Sequence, residues 1–327
     1  MKKRLFNDTG RAVSEVGLGC WQLGGSDWGN VGDADAMEIL TAAAEAGVTF
    51  FDTADVYGNG RSERLVGRFL RERGDEFFVA TKLGRTGDLY PDHYTEAGVR
   101  AATEGSLRRL ELDALDLTQL HCVPPEVLRQ GEVFEWLRTL KGEGKIHGFG
   151  ASVESMEEAE ICLGQEGLES LQIIFNIFRQ KPAEKLFAEA LEKRVALIIR
   201  LPLASGLLSG KMKAETMFPA NDHRNYTRDG EKFNVGETFA GLPYEKGVEL
   251  AEGLKAYVPE GFSMAQMAQR WILDYEAVTV VIPGASRPQQ ARANAAVSNL
   301  PALGAERHAE LREFYEKQVA AHIRGPY

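Results

Sequence analysis

Between Val13 and Val297, short runs of β-branched and aromatic residues alternate with longer stretches of helical period. This alternation is the pattern of parallel strands joined by crossover helices. Eight runs read as strands: VGLGC (Val16 to Cys20), VTFFD (Val48 to Asp52), FFVATK (Phe77 to Lys82), LDLTQLH (Leu115 to His121), IHGFGAS (Ile146 to Ser152), LQIIFN (Leu171 to Asn176), VALIIR (Val195 to Arg200) and VTVVIPG (Val278 to Gly284). Their nearly unbroken apolar character predicts burial on both faces. In the intervening segment DADAMEILTAAAEAG, Met37, Leu40 and Ala44 fall on one helical face and Gly47 supplies a stop. RSERLVGRFLRERG, YTEAGVRAATEGSLRRL and SMAQMAQRWILDY are similar units.

Eight strand–helix units predict an α/β fold, a closed (β/α)8 TIM barrel. An open doubly wound sheet competes on strand count. The glycines favour the barrel: in GLGCWQLGG they stand at positions 17, 19, 24 and 25, which does not fit G-x-G-x-x-G. An N-terminal β-hairpin is expected around Asn7-Asp8-Thr9-Gly10, placed to plug the barrel bottom. After the seventh strand, Ser205 to Pro243 forms a long β7-α7 loop with little periodicity, as in lids and binding loops. A helix over Glu306 to Ala321 precedes a short tail. With no low-complexity linker, residues 1–327 are expected to form a single domain.

Composition changes the picture only by exclusion. The net charge of -10, from 48 acidic and 38 basic residues, leaves no basic surplus for nucleic-acid phosphates. Cys20, Cys122 and Cys162 have neither the number nor the spacing of a disulfide framework or zinc site. No apolar run reaches membrane-spanning length, and MKKRLFNDTGRAV lacks the apolar core of a signal peptide. The expectation is a soluble cytoplasmic protein with no nucleic-acid or membrane partner.

In a parallel barrel the chemistry gathers at the C-terminal ends of strands. Those ends carry Asp52, Lys82, His121 and Ser152, and Tyr57 follows Asp52 on the next loop. Taken singly, Asp52 reads as a turn residue, Lys82 as a solvated lysine, Tyr57 as a loop aromatic and His121 as a core histidine. Their coincidence on neighbouring strand ends points to a site. A phenol is a poor acid near neutrality unless a cation stabilises its phenolate; Lys82 supplies the cation, and Asp52 its counterion. His121 then hydrogen-bonds a carbonyl oxygen or shares the proton. The set suits carbonyl reduction, in which an oxygen gains negative charge and takes a proton.

With these residues in place, the chain resembles the aldo-keto reductase superfamily. The resemblance runs through VGLGCWQLGG, FFDTADVYG, ATKLG, LTQLH, KIHGFGAS, LPLASGLLSGK and VIPGASRPQQARANAA. It implies a (β/α)8 fold, a nicotinamide cofactor, commonly NADPH with NADH possible, and no metal. It also implies that Tyr57 donates the proton, Lys82 and Asp52 tune it, and His121 orients the carbonyl. Carried over in the same way, Ser152 and Gln172 bind the nicotinamide carboxamide, Leu203, Ser205, Gly206, Leu208 and Lys211 lie over the pyrophosphate, and Gly284, Ser286, Arg287, Gln290 and Asn294 cradle the adenosine end. Arg287 is placed for a 2'-phosphate at a helix N-terminus. Two positions depart from the family pattern. Val153 stands where many members have Asn, and Arg200 where many stack an aromatic ring on the nicotinamide. An arginine plane can also stack there, while adding charge beside the ring.

Trp21, Trp28, Leu83, Arg85 and Tyr90, parts of Phe218 to Phe239 and the C-terminal tail are expected around the substrate. Aromatic walls suit an aldehyde or ketone with apolar bulk, and sugars also stack on tryptophan. The leading reading is an NADPH-dependent reductase of small carbonyl compounds. The alternatives are an NAD-linked sugar or alcohol dehydrogenase, and a cofactor-binding regulatory or redox-sensing subunit, as a resemblance to potassium-channel β-subunits allows.

Overall fold

The computed structural model of the chain describes residues 1–25, 27–74, 76–231 and 234–327. A short antiparallel hairpin, β1 (Lys3–Leu5) and β2 (Ala12–Ser14), precedes eight parallel strands: β3 (Leu18–Gly19), β4 (Phe50–Asp52), β5 (Phe78–Leu83), β6 (Leu115–His121), β7 (Ile146–Ser152), β8 (Leu168–Ile174), β9 (Ala196–Arg200) and β10 (Val278–Val281). The eight pair in chain order, and bridges Val16 to Val281 and Gly19 to Gly284 join the two edges. Parallel neighbours need crossovers. The helices that follow in order are α1 (Asp33–Glu45), α2 (Arg61–Arg73), α3 (Glu96–Leu110), α4 (Pro125–Gln130), α5 (Glu132–Gly142), α6 (Met156–Leu163), α7 (Leu186–Glu192), α8 (His223–Tyr226), α9 (Tyr244–Leu254), α10 (Met264–Leu273), α11 (Pro288–Ala296) and α12 (Gly304–Phe314).

Strand alternation separates two apolar cores. One lies between sheet and helices; the other fills the barrel with Phe50, Phe78, Ala80, Leu117, Ala196, Ile198, Val280 and Ile282. Phe6, from the hairpin connection, closes the bottom, its ring 4.5 Å from that of Phe78 and 6.0 Å from that of Phe50. Because side chains alternate with period two, the inward face that begins at Phe50, Ala80, Leu117 and Ile198 continues upward to Asp52, Lys82, Gln119, His121 and Arg200. The apolar plug below thus positions the polar layer above. Glycine serves close approach on β7: a Cβ at Gly150 would lie 2.0 Å from Ser170 Oγ and 2.6 Å from its carbonyl oxygen.

Several boundaries differ from expectation. β6 and β7 match the reading from sequence, but β3 is two residues long because the chain around it closes the barrel through isolated bridges. β10 stops at Val281, and beyond it Pro283, with no N–H to give, accepts from Gly19 N–H at 3.1 Å. The buried face of α1 is Ala36, Ile39, Leu40 and Ala43, with Met37 and Ala44 half-buried, so the helix is rotated from the expected face. The last helix ends at Phe314 and continues as a widened turn, Tyr315–Val319, and a short 3-10 turn, Ala320–His322. The described residues of the long loop after β9 form α8 and three 3-10 turns; its Lys232 and Phe233 lie outside the described residues. No described helix is long and apolar enough to cross a membrane.

Candidate active site

The upper barrel layer opens into a cavity of about 600 Å³. At its floor, Lys82 Nζ donates to Asp52 Oδ1 at 2.5 Å, to the Thr53 carbonyl at 2.9 Å and to Tyr57 OH at 3.3 Å. The other carboxylate oxygen of Asp52 accepts from Gln172 Nε2 at 2.7 Å and more distantly from Gln119 Nε2 at 3.4 Å. Asp52 and Lys82 are nearly inaccessible. A buried ammonium survives only with a counterion and several acceptors. Burial disfavours the charged amine, yet Asp52 first and Tyr57 second move Lys82 above its ordinary value.

Tyr57 is held by the turn that leaves β4, its N–H donating to Ala54 O at 3.2 Å. The turn requires glycine at its next position: Gly58 has φ +60°, and a Cβ there would meet the Gly24 carbonyl oxygen at 2.2 Å. The sequence reading expected Lys82 to make the phenol acidic. Burial wins instead, pushing Tyr57 up to about 12, and Lys82 offsets only part of that effect. A protonated phenol is the form a proton donor needs. His121 lies edge-on to Tyr57, with ring centroids 5.9 Å apart. Burial, then Arg85, Lys82 and Arg200, push it well below its ordinary value, so the imidazole is neutral. Its Nδ1 is buried with no hydrogen-bond partner among the described residues.

Along the cavity wall, Ser152 Oγ donates to Gln172 Oε1 at 3.3 Å, and Gln172 is also committed to Asp52. Leu203, Ser205, Gly206, Lys211, Gly284, Ser286, Arg287 and Gln290 line the far end. Ser205 and Gly206 adopt left-handed backbone, and the Ser205 hydroxyl ties down the loop, donating to Glu237 O at 3.3 Å and accepting from Phe239 N at 3.2 Å. Gln290 Oε1 accepts from both the backbone N and the Oγ of Ser286, at 2.9 and 3.0 Å, at the start of α11. Two expected cofactor residues do not line the cavity. Leu208 is core, and Asn294 Nδ2 donates to Gly284 O at 3.3 Å, supporting the cradle from behind. Leu83 is likewise core, so it does not belong to the substrate wall.

Trp21, Trp28, Arg85 and Tyr90 do line the cavity. Trp21 stacks on Tyr57 at 5.9 Å and meets Trp28 edge-on at 5.5 Å. Asp27 clasps this wall to the long loop, accepting from Trp21 Nε1 at 3.1 Å and Tyr226 OH at 2.6 Å, while its carbonyl accepts from His223 N at 2.9 Å. The C-terminal tail does not reach the cavity; Tyr327 packs under Arg179, 4.3 Å from its ring centroid.

Sequence reasoning missed Gln119 and Glu237. Gln119 sits two residues before His121, so strand period alone assigns it to the same face. Glu237 carried no local signal, yet it accepts from Arg200 Nη1 at 3.0 Å and lies 3.5 Å from Arg85 Nη1 through the same oxygen. Burial works against its ionisation, but Arg200 and Arg85 outweigh it and hold Glu237 below the carboxylate range. Cys122, Glu154 and Glu237 place ligand atoms within 4.8 Å of one another. The two guanidiniums beside them disfavour a cation.

Asp55 is a buried carboxylate near this floor that meets no side-chain donor among the described residues. Burial first and Glu63 second push it from 3.8 to about 7. The folded state therefore binds a proton more tightly than the unfolded chain, and this group lowers stability as pH rises from about 4 to 7. Asp55→Asn should be nearly neutral at pH 4 and stabilise the fold by up to about 4 kcal/mol at pH 8. Calorimetric Tm at both pH values reads the effect; an equal shift at both would reject the assignment.

Comparison with known proteins agrees with this geometry. Residues 15–316 match the Aldo/keto reductase family. Aldo-keto reductase YhdN of Bacillus subtilis (strain 168) is 33% identical over 291 residues, covering 88% of this chain and 85% of YhdN. The holo form of aldo-keto reductase AKR11C1 from Bacillus halodurans superposes with TM-score 0.78 at 27% identity, over 96% of each chain. The glycerol dehydrogenase AKR11B4 from Gluconobacter oxydans gives TM-score 0.76 at 29% identity, over 97% of this chain and 94% of that one. With a barrel closed in chain order and an Asp–Lys–Tyr–His floor under a long cavity, the chain belongs to the aldo/keto reductase family and is an NAD(P)H-dependent oxidoreductase.

Proposed function

We propose that the chain reduces small aldehydes or ketones with NADPH, Tyr57 giving the proton. The unbroken run of contacts from Asp52 through Lys82 to Tyr57, with neutral His121 edge-on to the phenol, carries this reading. The hydride for the carbonyl carbon would come from a reduced nicotinamide bound in this cavity. His121 donates a hydrogen bond to the carbonyl oxygen from whichever ring nitrogen carries its proton. As negative charge grows on that oxygen, the Tyr57 hydroxyl transfers its proton, and the resulting phenolate faces the Lys82 ammonium. Asp52 keeps the ammonium charged throughout, and the Trp21 and Trp28 wall excludes water.

The residues present fit the cofactor. Ser152 and Gln172 would hold the carboxamide end beside Tyr57. Arg200 would border the nicotinamide, and Leu203, Ser205, Gly206, Lys211 and Gly284 would follow the phosphates. Ser286, Arg287 and Gln290 would take the adenosine end at the start of α11, a natural anion position. Lys211 and Arg287 both line the cavity and would offer cations to the cofactor's phosphates. NADPH should therefore bind at least about tenfold more tightly than NADH, and Arg287→Ala should erase the difference. Fluorescence titration of both cofactors measures it; equal affinities in the wild-type protein would remove the 2'-phosphate role.

The likeness to a glycerol dehydrogenase favours a second reading, oxidation of a polyol or sugar with NAD. A turnover panel separates the two: aldehyde-dependent NADPH oxidation supports reduction, and faster NAD-linked glycerol or sugar oxidation supports the second. Tight NADPH binding with neither activity would instead indicate a cofactor-binding regulatory subunit.

A further inference from the structure

One patch of the cavity wall is not used by the proton-transfer floor. Arg85, leaving β5, and Arg200, ending β9, line the cavity on the same side as His121 and converge on one oxygen of Glu237. Glu154 brings a carboxyl oxygen within 4.8 Å of one from Glu237. Burial first and Glu237 second push Glu154 up to about 8, so near neutrality it keeps its proton and the pair carries a single negative charge. Among the described residues, two guanidiniums thus face one negative charge, which leaves the patch cationic. Both arginines are nearly buried, with side-chain exposures of 12% and 13%, so water does little to screen them. Arg200 is further fixed by Val153 O, which accepts from Nη2 at 3.2 Å, while its buried Nε has no partner among the described residues. Surplus buried charge with an unsatisfied donor is costly unless a ligand completes it.

Position decides what completes it. Tyr57, Arg85, His121 and Arg200 line the same cavity, and Arg200 Nη2 lies 3.8 Å from the sulfur of Cys122, the residue that follows His121. Lys82 is already matched by Asp52. A carbonyl compound with its oxygen at Tyr57 and His121 therefore lies within reach of the cationic patch through its own substituent. Resting on the reductase reading, we propose that the preferred substrate is an oxo acid or aldehyde-acid, whose carboxylate is recognised by Arg85 and Arg200 while its carbonyl meets Tyr57. A planar guanidinium suits a carboxylate better than a point charge does. Arg85 is the position to test, because Arg200 would also border the nicotinamide.

A matched pair of aromatic aldehydes tests this. 4-Formylbenzoate and its methyl ester differ only in charge at the end remote from the carbonyl. The wild-type protein should show kcat/KM about 10- to 100-fold higher for the acid. Arg85→Gln should remove that preference by lowering the acid alone, with the ester changed less than about threefold, and Arg85→Lys should restore part of it. NADPH affinity should be the same in all three proteins. An ester reduced as well as the acid overturns the proposal, as does an Arg85→Gln variant that weakens NADPH, because the cation would then serve a cofactor phosphate. Binding provides a readout independent of turnover. Quenching of Trp21 and Trp28 fluorescence in the NADP complex should report benzoate binding at least about tenfold tighter than benzamide. If neither aldehyde turns over, the reductase reading falls, and this binding ratio still upholds or rejects the anion site.

Discussion

Tyr57→Phe should lower kcat for carbonyl reduction by about two to four powers of ten while leaving NADPH affinity nearly unchanged. The expectation follows from what the substitution removes and what it leaves. Lys82 loses one long hydrogen bond, 3.3 Å, but keeps Asp52 at 2.5 Å and the Thr53 carbonyl at 2.9 Å. The ring that Trp21 stacks on, and over which the ammonium sits 5.0 Å from the centroid, is retained. Wall and floor therefore stay in place while the transferable proton is gone. With the phenol pushed up to about 12, the reductive pH profile of the wild-type protein should carry no tyrosine limb below about pH 10. Steady-state kinetics with a saturating aldehyde, beside a cofactor titration, checks both. A variant within threefold of wild-type kcat would mean that another group, or water, delivers the proton.

How much of this was readable beforehand depends on whether the governing interaction is local. The inward–outward period of strands fixes Asp52, Lys82 and His121 on one face; Asp52 and His121 end their strands as read from the sequence, while β5 runs one residue past Lys82. β6 and β7 match to the residue because apolar runs with polar ends mark their own limits. β3 does not, since its extent depends on closure against a strand more than 250 residues away. Leu208 and Asn294 follow the family motif, but small rotations of a loop and a helix decide whether a motif residue faces a cavity or its backing. Glu237 lies in an aperiodic loop, and only three-dimensional proximity to Arg85 and Arg200 gives it a role. The sign of the Tyr57 shift was likewise beyond sequence: Lys82 as a neighbour was foreseeable, but whether burial outweighs it depends on how completely Trp21 and the floor cover the ring.

Lys82→Met should destabilise the fold by about 3–5 kcal/mol, and adding Asp52→Asn should recover a large part of that loss. Each partner of this pair is buried, with side-chain exposures of 1% and 3%, so removing the ammonium strands a carboxylate that water cannot reach. Gln172 and Gln119 still donate to Asp52 Oδ2, at 2.7 and 3.4 Å, and soften the penalty without supplying charge. Asp52→Asn alone leaves the opposite fault, an ammonium with the Thr53 carbonyl and a neutral amide around it. In the double variant no charge remains, so the coupling energy should be favourable and of order 2–3 kcal/mol. The folded-state value of Lys82 is raised, so its contribution is complete below the unfolded lysine value of 10.5 and is lost only as pH climbs through the folded one; measurements near neutrality sample the full effect. Urea denaturation of the four proteins closes the cycle. Strict additivity, within about 0.5 kcal/mol, would show that Lys82 and Asp52 stabilise the barrel independently. The ammonium would then have some other anchor, and the link through which Asp52 reaches Tyr57 would be broken.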